Sequence, residues 1–239
     1  MQSGRRGLWI DISSTQKDEA RSFHATLQAH GVRFIDAPMS GGVLGAESGT
    51  LAIMAGASVH DFALAEPLLE AMGQPTLVGP AGSGQVAKLC YQLIVDGTLD
   101  IIAEALLLAH AAGADPAAVH AAICSGFAES RILDVHCQRM LVRNFLRGGQ
   151  VKSQLKDMQN VLAAAADACI VLPISALVTE HYRPIIDDYP AADQSAALLA
   201  LEKLNPGQRL GDVPHQMPSR PTAEGAERGC SVAGGQTAK

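Results

Sequence analysis

The chain has 239 residues, of which 48% are hydrophobic and 18% are charged, and it carries a formal net charge of −6. This composition excludes a chain that is disordered as a whole, because disorder requires low hydrophobicity and high charge. The acidic balance and the aromatic content of 4% argue against a nucleic-acid partner. We also expect no membrane span, since no apolar run reaches the ~18 residues that one needs.

The first 80 residues alternate short apolar runs with helical patterns. Apolar runs predict strands over residues 7–12, 32–37, 51–55 and 75–78. Helical periodicity between them predicts helices over residues 15–30 and 60–72. Strands alternating with helices are typical of an α/β layer, so we assign an α/β domain to residues 1–82.

The character of the sequence changes at Ser83, after which no strand pattern recurs. A helix over residues 85–112 would be about 42 Å long. Further helices are predicted over residues 115–124, 129–146, 152–168, 172–187 and 191–204, so residues 83–205 form an all-helical domain. Residues 206–239 are rich in Gly, Pro, Ser, Thr and charge, and we expect a disordered tail there.

A Gly-rich loop follows the second predicted strand, within the sequence DAPMSGG at residues 36–42. The successive amides of Ser40, Gly41 and Gly42 can form a concave nest that holds an anion such as a carboxylate. An ordinary strand-to-loop turn explains the same residues, and spacing alone favours the turn.

A second Gly-rich segment, GPAGSG at residues 79–84, opens the long helix. Its order is G-x-x-G-x-G, which is not the dinucleotide fingerprint G-x-G-x-x-G, and no acidic residue ends a strand about 20 positions later. We therefore expect these glycines to let the start of the long helix approach another backbone closely.

Two lysines are candidate functional residues. Lys88 lies one turn into the long helix among apolar neighbours and shares a face with Gln92. Burial lowers a lysine pKa towards neutrality and makes it a usable proton donor, although a solvated helix lysine is the plainer alternative. Lys156 is followed by Asp157, and by themselves these two residues predict only a surface ion pair on a helix.

The histidines and cysteines suggest no metal site. The eight histidines are scattered, and none of the five cysteines lies in a C-x-x-C pair or a Cys/His cluster with zinc spacing. Reduced, mostly buried thiols in a cytoplasmic protein are the simplest interpretation.

Taken together, the ordered motifs resemble the β-hydroxyacid dehydrogenase family, which includes 3-hydroxyisobutyrate dehydrogenase and 2-hydroxy-3-oxopropionate reductase. The resemblance covers about residues 7–204, and the combination is far more specific than any single motif. The matching segments are DISST at 11–15, FIDAPMSGG at 34–42, GTL at 49–51, Gly79-x-x-Gly82-x-Gly84-x-x-x-Lys88, GFAESRILDVH at 126–136 and DQS at 193–195.

The resemblance implies an NAD(P)-binding Rossmann-type domain followed by an all-helical domain that closes a cleft. It implies that Lys88 is the general acid/base of an oxidoreductase that interconverts a small 3-hydroxy acid and its aldehyde. The substrate carboxylate would lie on Ser40, Gly41 and Gly42, with Gln92 also contacting the substrate. Ser14 and Lys156 would contact the cofactor, NAD or NADP.

The chain also departs from the family pattern. The first half of the Rossmann domain, with its G-x-G-x-x-G loop, is missing from this sequence, so we expect an N-terminally truncated domain and weak NAD(P)H binding. Tyr91 stands where the family usually has Asn. The alternative is a non-catalytic paralogue or gene fragment that retains the helical oligomerisation domain. The apolar helices in either case predict a homo-oligomer.

Overall fold

The computed structural model describes residues 7–146 and 148–219. An α/β layer comes first and a helical layer follows. The α/β layer contains β1 (Leu8–Asp11), α1 (Lys17–Ala29), β2 (Arg33–Asp36), β3 (Met39–Ser40), α2 (Gly42–Ser48), β4 (Leu51–Gly56), α3 (Val59–Glu70) and β5 (Gly73–Gly79). The helical layer contains α4 (Ser83–Ala111), α5 (Pro116–Ile123), α6 (Arg131–Leu141), α7 (Val151–Asp167), α8 (Pro173–Ile186), a 3-10 turn (Gln194–Ala196) and α9 (Ala197–Leu204).

The five strands form one mixed sheet. β1 runs parallel to β2, with Asp11 opposite Asp36, and β4 runs parallel to β5. The chain from β2 into β3 pairs antiparallel with β4, so that Asp36 lies opposite Gly56. The carboxyl ends of β1, β2 and β4 therefore meet at one edge of the sheet, where α/β folds commonly bind ligands.

The start of α4 lies very close to this edge, and a glycine makes the approach possible. A Cβ added at Gly84 would lie 2.3 Å from the carbonyl oxygen of Met54 on β4 and 2.6 Å from that of Asp36. No side chain fits there, which confirms the prediction that glycine allows close backbone approach at the start of this helix.

Two apolar cores stabilise the chain. The smaller one lies under the sheet and includes Ile35, Ile53 and Leu69. The larger one lies among the helices, where residues from α4, α6, α7, α8 and α9 surround Leu99, Met140, Met158, Tyr182 and Leu198. The helix α4 passes from the sheet through the larger core, so it joins the two layers rigidly.

Two details differ from the sequence prediction. The short β3 and α2 follow β2, where only a loop was expected. The helix predicted over residues 129–146 ends at Leu141, because Arg143 adopts a left-handed backbone with φ 51°. The guanidinium of Arg143 is fully buried and donates to both carboxylate oxygens of Glu202 and to the carbonyl oxygen of Leu210.

These contacts also correct the predicted disordered tail at its beginning. Leu210 is buried, and Gln216 pairs with Asn144, so the segment of residues 206–219 contacts the helical layer at these two points. The apolar pattern of the sequence did not predict this contact, because the segment is held mainly by polar bonds from one buried arginine, Arg143. Residues 220–239 of the predicted tail lie outside the described residues. Within the described part of the chain, no helix is both long and apolar enough to cross a bilayer.

Candidate active site

The carboxylate of Asp36 fixes the beginning of α4. Its two oxygens accept from the backbone N–H of Gly82 at 2.7 Å and of Gln85 at 3.0 Å. Burial raises the pKa of Asp36, and these backbone hydrogen bonds oppose that change. The positive end of the α4 dipole is therefore already matched by an internal anion, and it is not a free site for a cofactor phosphate.

The side chain of Gln85 joins α4 to the loop that follows β1. Its Oε1 accepts from the backbone N–H of Thr15 at 3.0 Å, and its Nε2 donates to the carbonyl oxygen of Ser13 at 2.9 Å. Ser14 is thereby held between two anchored residues. The hydroxyl oxygen of Thr15 is buried and has no hydrogen-bond partner among the described residues, which leaves one polar atom in this loop for a ligand.

Lys88 lies one turn further along α4 and is half-buried. Burial lowers the pKa of its ammonium group, the charges of Asp157 and Asp96 oppose that change, and Lys156 lowers the pKa further. The Nζ atom lies 4.8 Å from the centre of the Tyr91 ring. Within the described residues it has no hydrogen bond and no ion pair, so its protons are free to reach a ligand.

Two charged side chains of α7, those of Lys156 and Asp157, lie near Lys88. Lys156 Nζ lies 3.3 Å from the carbonyl oxygen of Ser14 and 3.0 Å from Asp157 Oδ1. The structure thus brings together Ser14 and Lys156, the two residues that the family resemblance assigns to the cofactor. Half of the Lys156 side chain remains exposed.

Gln92, the expected substrate contact, lies one turn after Lys88 on α4. It is buried, and its Nε2 donates to Asp157 Oδ2 at 2.9 Å. The amide of Gln154 lies between Gln92 and Gln194, and one of its two orientations donates to Asp96 at 2.9 Å. Gln92 therefore belongs to a buried polar network that joins α4 to α7 beneath Lys88.

The predicted anion nest lies at the end of β3 and the beginning of α2. Gly41 and Gly42 have φ angles of 139° and 60°, which L side chains rarely adopt, and Gly41 caps the start of α2. The chain from Asp36 to Ser40 is paired to β4, so the same carboxylate that fixes α4 lies four residues before this loop. The carboxyl ends of the strands therefore position both this Gly-rich loop and the first turns of α4, which carry Lys88.

Several residues of the site were missed in the sequence. Asp36, Gln85, Asp157 and Gln154 had no assigned role, although each is buried in the structure. The available signal was the residue type itself, because Asp and Gln are seldom buried unless they are paired. A cavity of about 370 Å³ lies at the amino end of β2, away from this site. A smaller cavity of about 30 Å³ lies between the start of α1 and α7.

Comparisons with known proteins agree with this architecture. Residues 82–201 match the family described as NAD-binding of NADP-dependent 3-hydroxyisobutyrate dehydrogenase, and residues 2–87 match the NAD binding domain of 6-phosphogluconate dehydrogenase. The 2-hydroxy-3-oxopropionate reductase of Escherichia coli is 38% identical over 82% of this chain and 69% of its own. The chain belongs to the β-hydroxyacid dehydrogenase family. NAD or NADP is the cofactor that these matches imply.

Other relatives match a similar share of the chain. A probable mitochondrial 3-hydroxyisobutyrate dehydrogenase-like protein of Arabidopsis thaliana is 33% identical over 83% of this chain and 60% of its own. The 3-hydroxyisobutyrate dehydrogenase of Mycobacterium tuberculosis, solved with L-serine, superposes with a TM-score of 0.75 at 29% identity and covers 81% of this chain and 69% of that one. The chain thus spans about 60–70% of the length of these relatives.

The cofactor can be tested against the residues that the structure describes. The orphaned hydroxyl of Thr15, the anchored Ser14 and the half-exposed Lys156 fit one end of a nicotinamide cofactor. The helix N-terminus that follows the Gly-rich segment at 79–84 does not fit its pyrophosphate, because Asp36 occupies those amides.

Proposed function

We propose that this chain carries the proton-transfer site of an NAD(P)-dependent reductase that interconverts a small 3-hydroxy acid and its aldehyde, with 2-hydroxy-3-oxopropionate as the favoured substrate. The observation that carries the proposal is the position of Lys88. Its ammonium is partly desolvated, has no hydrogen-bonding partner among the described residues, and lies on the same turns of α4 that Asp36 and Gln85 anchor. The identity to the Escherichia coli reductase favours the substrate.

In the direction of reduction, Lys88 Nζ donates a proton to the carbonyl oxygen of the aldehyde, and this oxygen becomes the hydroxyl of the product. The cofactor, when bound, supplies the hydride to the carbonyl carbon. In oxidation, neutral Lys88 takes the proton back. The network through Asp157 and Gln92 holds negative charge near Lys88 and favours the ammonium form that reduction requires.

The other predicted residues have positioning roles in this proposal. The backbone amides of Ser40, Gly41 and Gly42 bind the substrate carboxylate, since consecutive amides in a Gly-rich turn favour an anion. Ser14 and Lys156 contact the nicotinamide end of the cofactor. We also propose the cytoplasm as the compartment, because the four described cysteines are unpaired, as is usual where thiols stay reduced.

The test is steady-state kinetics of the full chain with 2-hydroxy-3-oxopropionate and either NADH or NADPH. Lys88→Ala should lower kcat by roughly 10²–10⁴, the usual contribution of one general acid, with little change in the cofactor Kd. Lys152→Ala is the matched control, because Lys152 is an exposed lysine on α7, and it should retain the parent kcat.

Two results would contradict the proposal. A parent chain that binds substrate and cofactor but does not turn over would favour the non-catalytic alternative, in which the helical domain serves only assembly. A Lys88→Ala variant with near-parent kcat would exclude Lys88 as the proton donor.

A further inference from the structure

A group of three metal-ligand types lies away from the site described above, between α5 and α6. Among the described residues, His120, Cys124 and Asp134 each offer one ligand atom, and these atoms all lie within 4.8 Å of one another. The Nε2 atom of His120 is 3.1 Å from the Sγ atom of Cys124. This group is separate from Lys88, and none of its three residues belongs to the polar network around Gln92.

The sequence alone explains why two of these three residues lie close together. His120 and Cys124 are four residues apart on α5, so both side chains lie on the same face of that helix. Asp134 comes from the first turn of α6, a separate helix, and this is why the spacing of histidines and cysteines predicted no metal site. The carboxylate of Asp134 comes close to His120 and Cys124 only when α5 and α6 pack together.

We propose that His120, Cys124 and Asp134 bind a divalent cation of the Zn²⁺ class. Nitrogen, sulfur and carboxylate ligands are the set that Zn²⁺ takes in proteins, and bonds of ~2.0–2.3 Å place two tetrahedral ligands about 3.5 Å apart. The observed 3.1 Å between Nε2 and Sγ is close to that separation. Asp134 needs only a small movement, since it is exposed at the beginning of α6.

The surroundings of the three residues favour a cation. Two carboxylates, those of Asp134 and Glu129, lie close enough to Cys124 to act on it electrostatically. The same two carboxylates attract a cation. The Nε2 atom of Gln138 lies 3.4 Å from His120 Nδ1. Rotation of this amide by 180° would present its oxygen to an Nδ1 proton and leave the Nε2 atom of His120 for the metal.

Three protein ligands leave a fourth position for water, since the group contains no fourth ligand among the described residues. His120 is buried, whereas Cys124 is half-buried and Asp134 is exposed, so a cation can enter from solvent. Binding would join α5 to α6, which both pack on α4.

The experiment uses the untagged full chain, stripped of metal, and titrates it with Co²⁺ and then Zn²⁺. We expect one Co²⁺ per chain, a thiolate-to-cobalt charge-transfer band and displacement by Zn²⁺. Cys124→Ser should abolish the band. His120→Ala and Asp134→Asn should weaken binding by roughly tenfold or more, since even an outer-shell partner of a metal ligand contributes about 10–100-fold in affinity.

The matched controls are Cys169→Ser and His110→Ala, which remove an exposed thiol and an exposed imidazole elsewhere. Both should retain the band and the parent Kd, and circular dichroism should show all variants folded. The proposal is wrong if the parent gives no thiolate-to-cobalt band, or if Cys124→Ser and His120→Ala bind Co²⁺ as the parent does.

Discussion

At the scale of single residues, the charge on Lys88 should determine how the reaction depends on pH. Burial lowers its pKa below the ordinary value of about 10.4 for lysine. Reduction requires the ammonium form, so kcat/KM for reduction should be level at low pH and fall as pH rises through this lowered pKa. Oxidation requires the neutral amine and should show the opposite dependence. Rates measured in both directions across the alkaline range check this, and two profiles that both rise with pH would contradict it.

The neighbouring carboxylate gives a second prediction about the same residue. The charge of Asp157 raises the pKa of Lys88, so Asp157→Asn should move the alkaline limb of reduction to lower pH. Asp167→Asn is the matched control, because Asp167 is an exposed aspartate on the same helix, and its profile should follow that of the parent. An Asp157→Asn variant whose limb does not move would show that this carboxylate has no electrostatic effect on Lys88.

At the scale of elements, the beginning of α4 depends on one buried carboxylate. In Asp36→Asn, an amide NH₂ group faces one of the two backbone N–H groups of Gly82 and Gln85, and a buried donor is left unpaired. The free energy of unfolding should fall by roughly 1–3 kcal/mol. Urea denaturation of the full chain measures this change.

The control for that substitution is Asp115→Asn at the exposed beginning of α5. Asp115 accepts from the backbone N–H of Ala117, and Asn serves equally well as an N-cap, so stability should hardly change. Equal losses in the two variants would show that Asp36 contributes no more than an ordinary helix cap.

The order of elements could be predicted from the sequence because each has a strong local signal. Apolar runs gave the longer strands, and Asp115-Pro116 marked the beginning of α5. The position of Lys88 on the same helix face as Gln92 was predicted from the local sequence in the same way. The site around them could not be predicted, because Asp36, Gln85 and Asp157 act through partners between 46 and 72 residues away along the chain. The end of α6 also depends on a distant partner, since Arg143 pairs with Glu202.

At the scale of the whole molecule, the outer face of α4 predicts association with a second copy of the chain. Ile94, Ile101 and Leu108 are 61%, 62% and 70% exposed and recur every seven residues. The smaller Thr98 and Ala105 lie between them, which completes the alternating spacing of three and four residues found in paired helices. A stripe of this length on one helix is costly to leave in water, so a second α4 packed along it would bury three large side chains from each chain.

We therefore expect a dimer by light scattering at micromolar concentration. Ile101→Asp places a charge at the centre of the stripe, and a charge buried without a partner opposes association strongly, so this variant should be monomeric with an unchanged helical spectrum. Val59→Asp is the control, because Val59 is 76% exposed on α3, outside the stripe, and that variant should remain dimeric. A parent chain that is monomeric, or an Ile101→Asp variant that still dimerises, would mean that this face of α4 is not the interface.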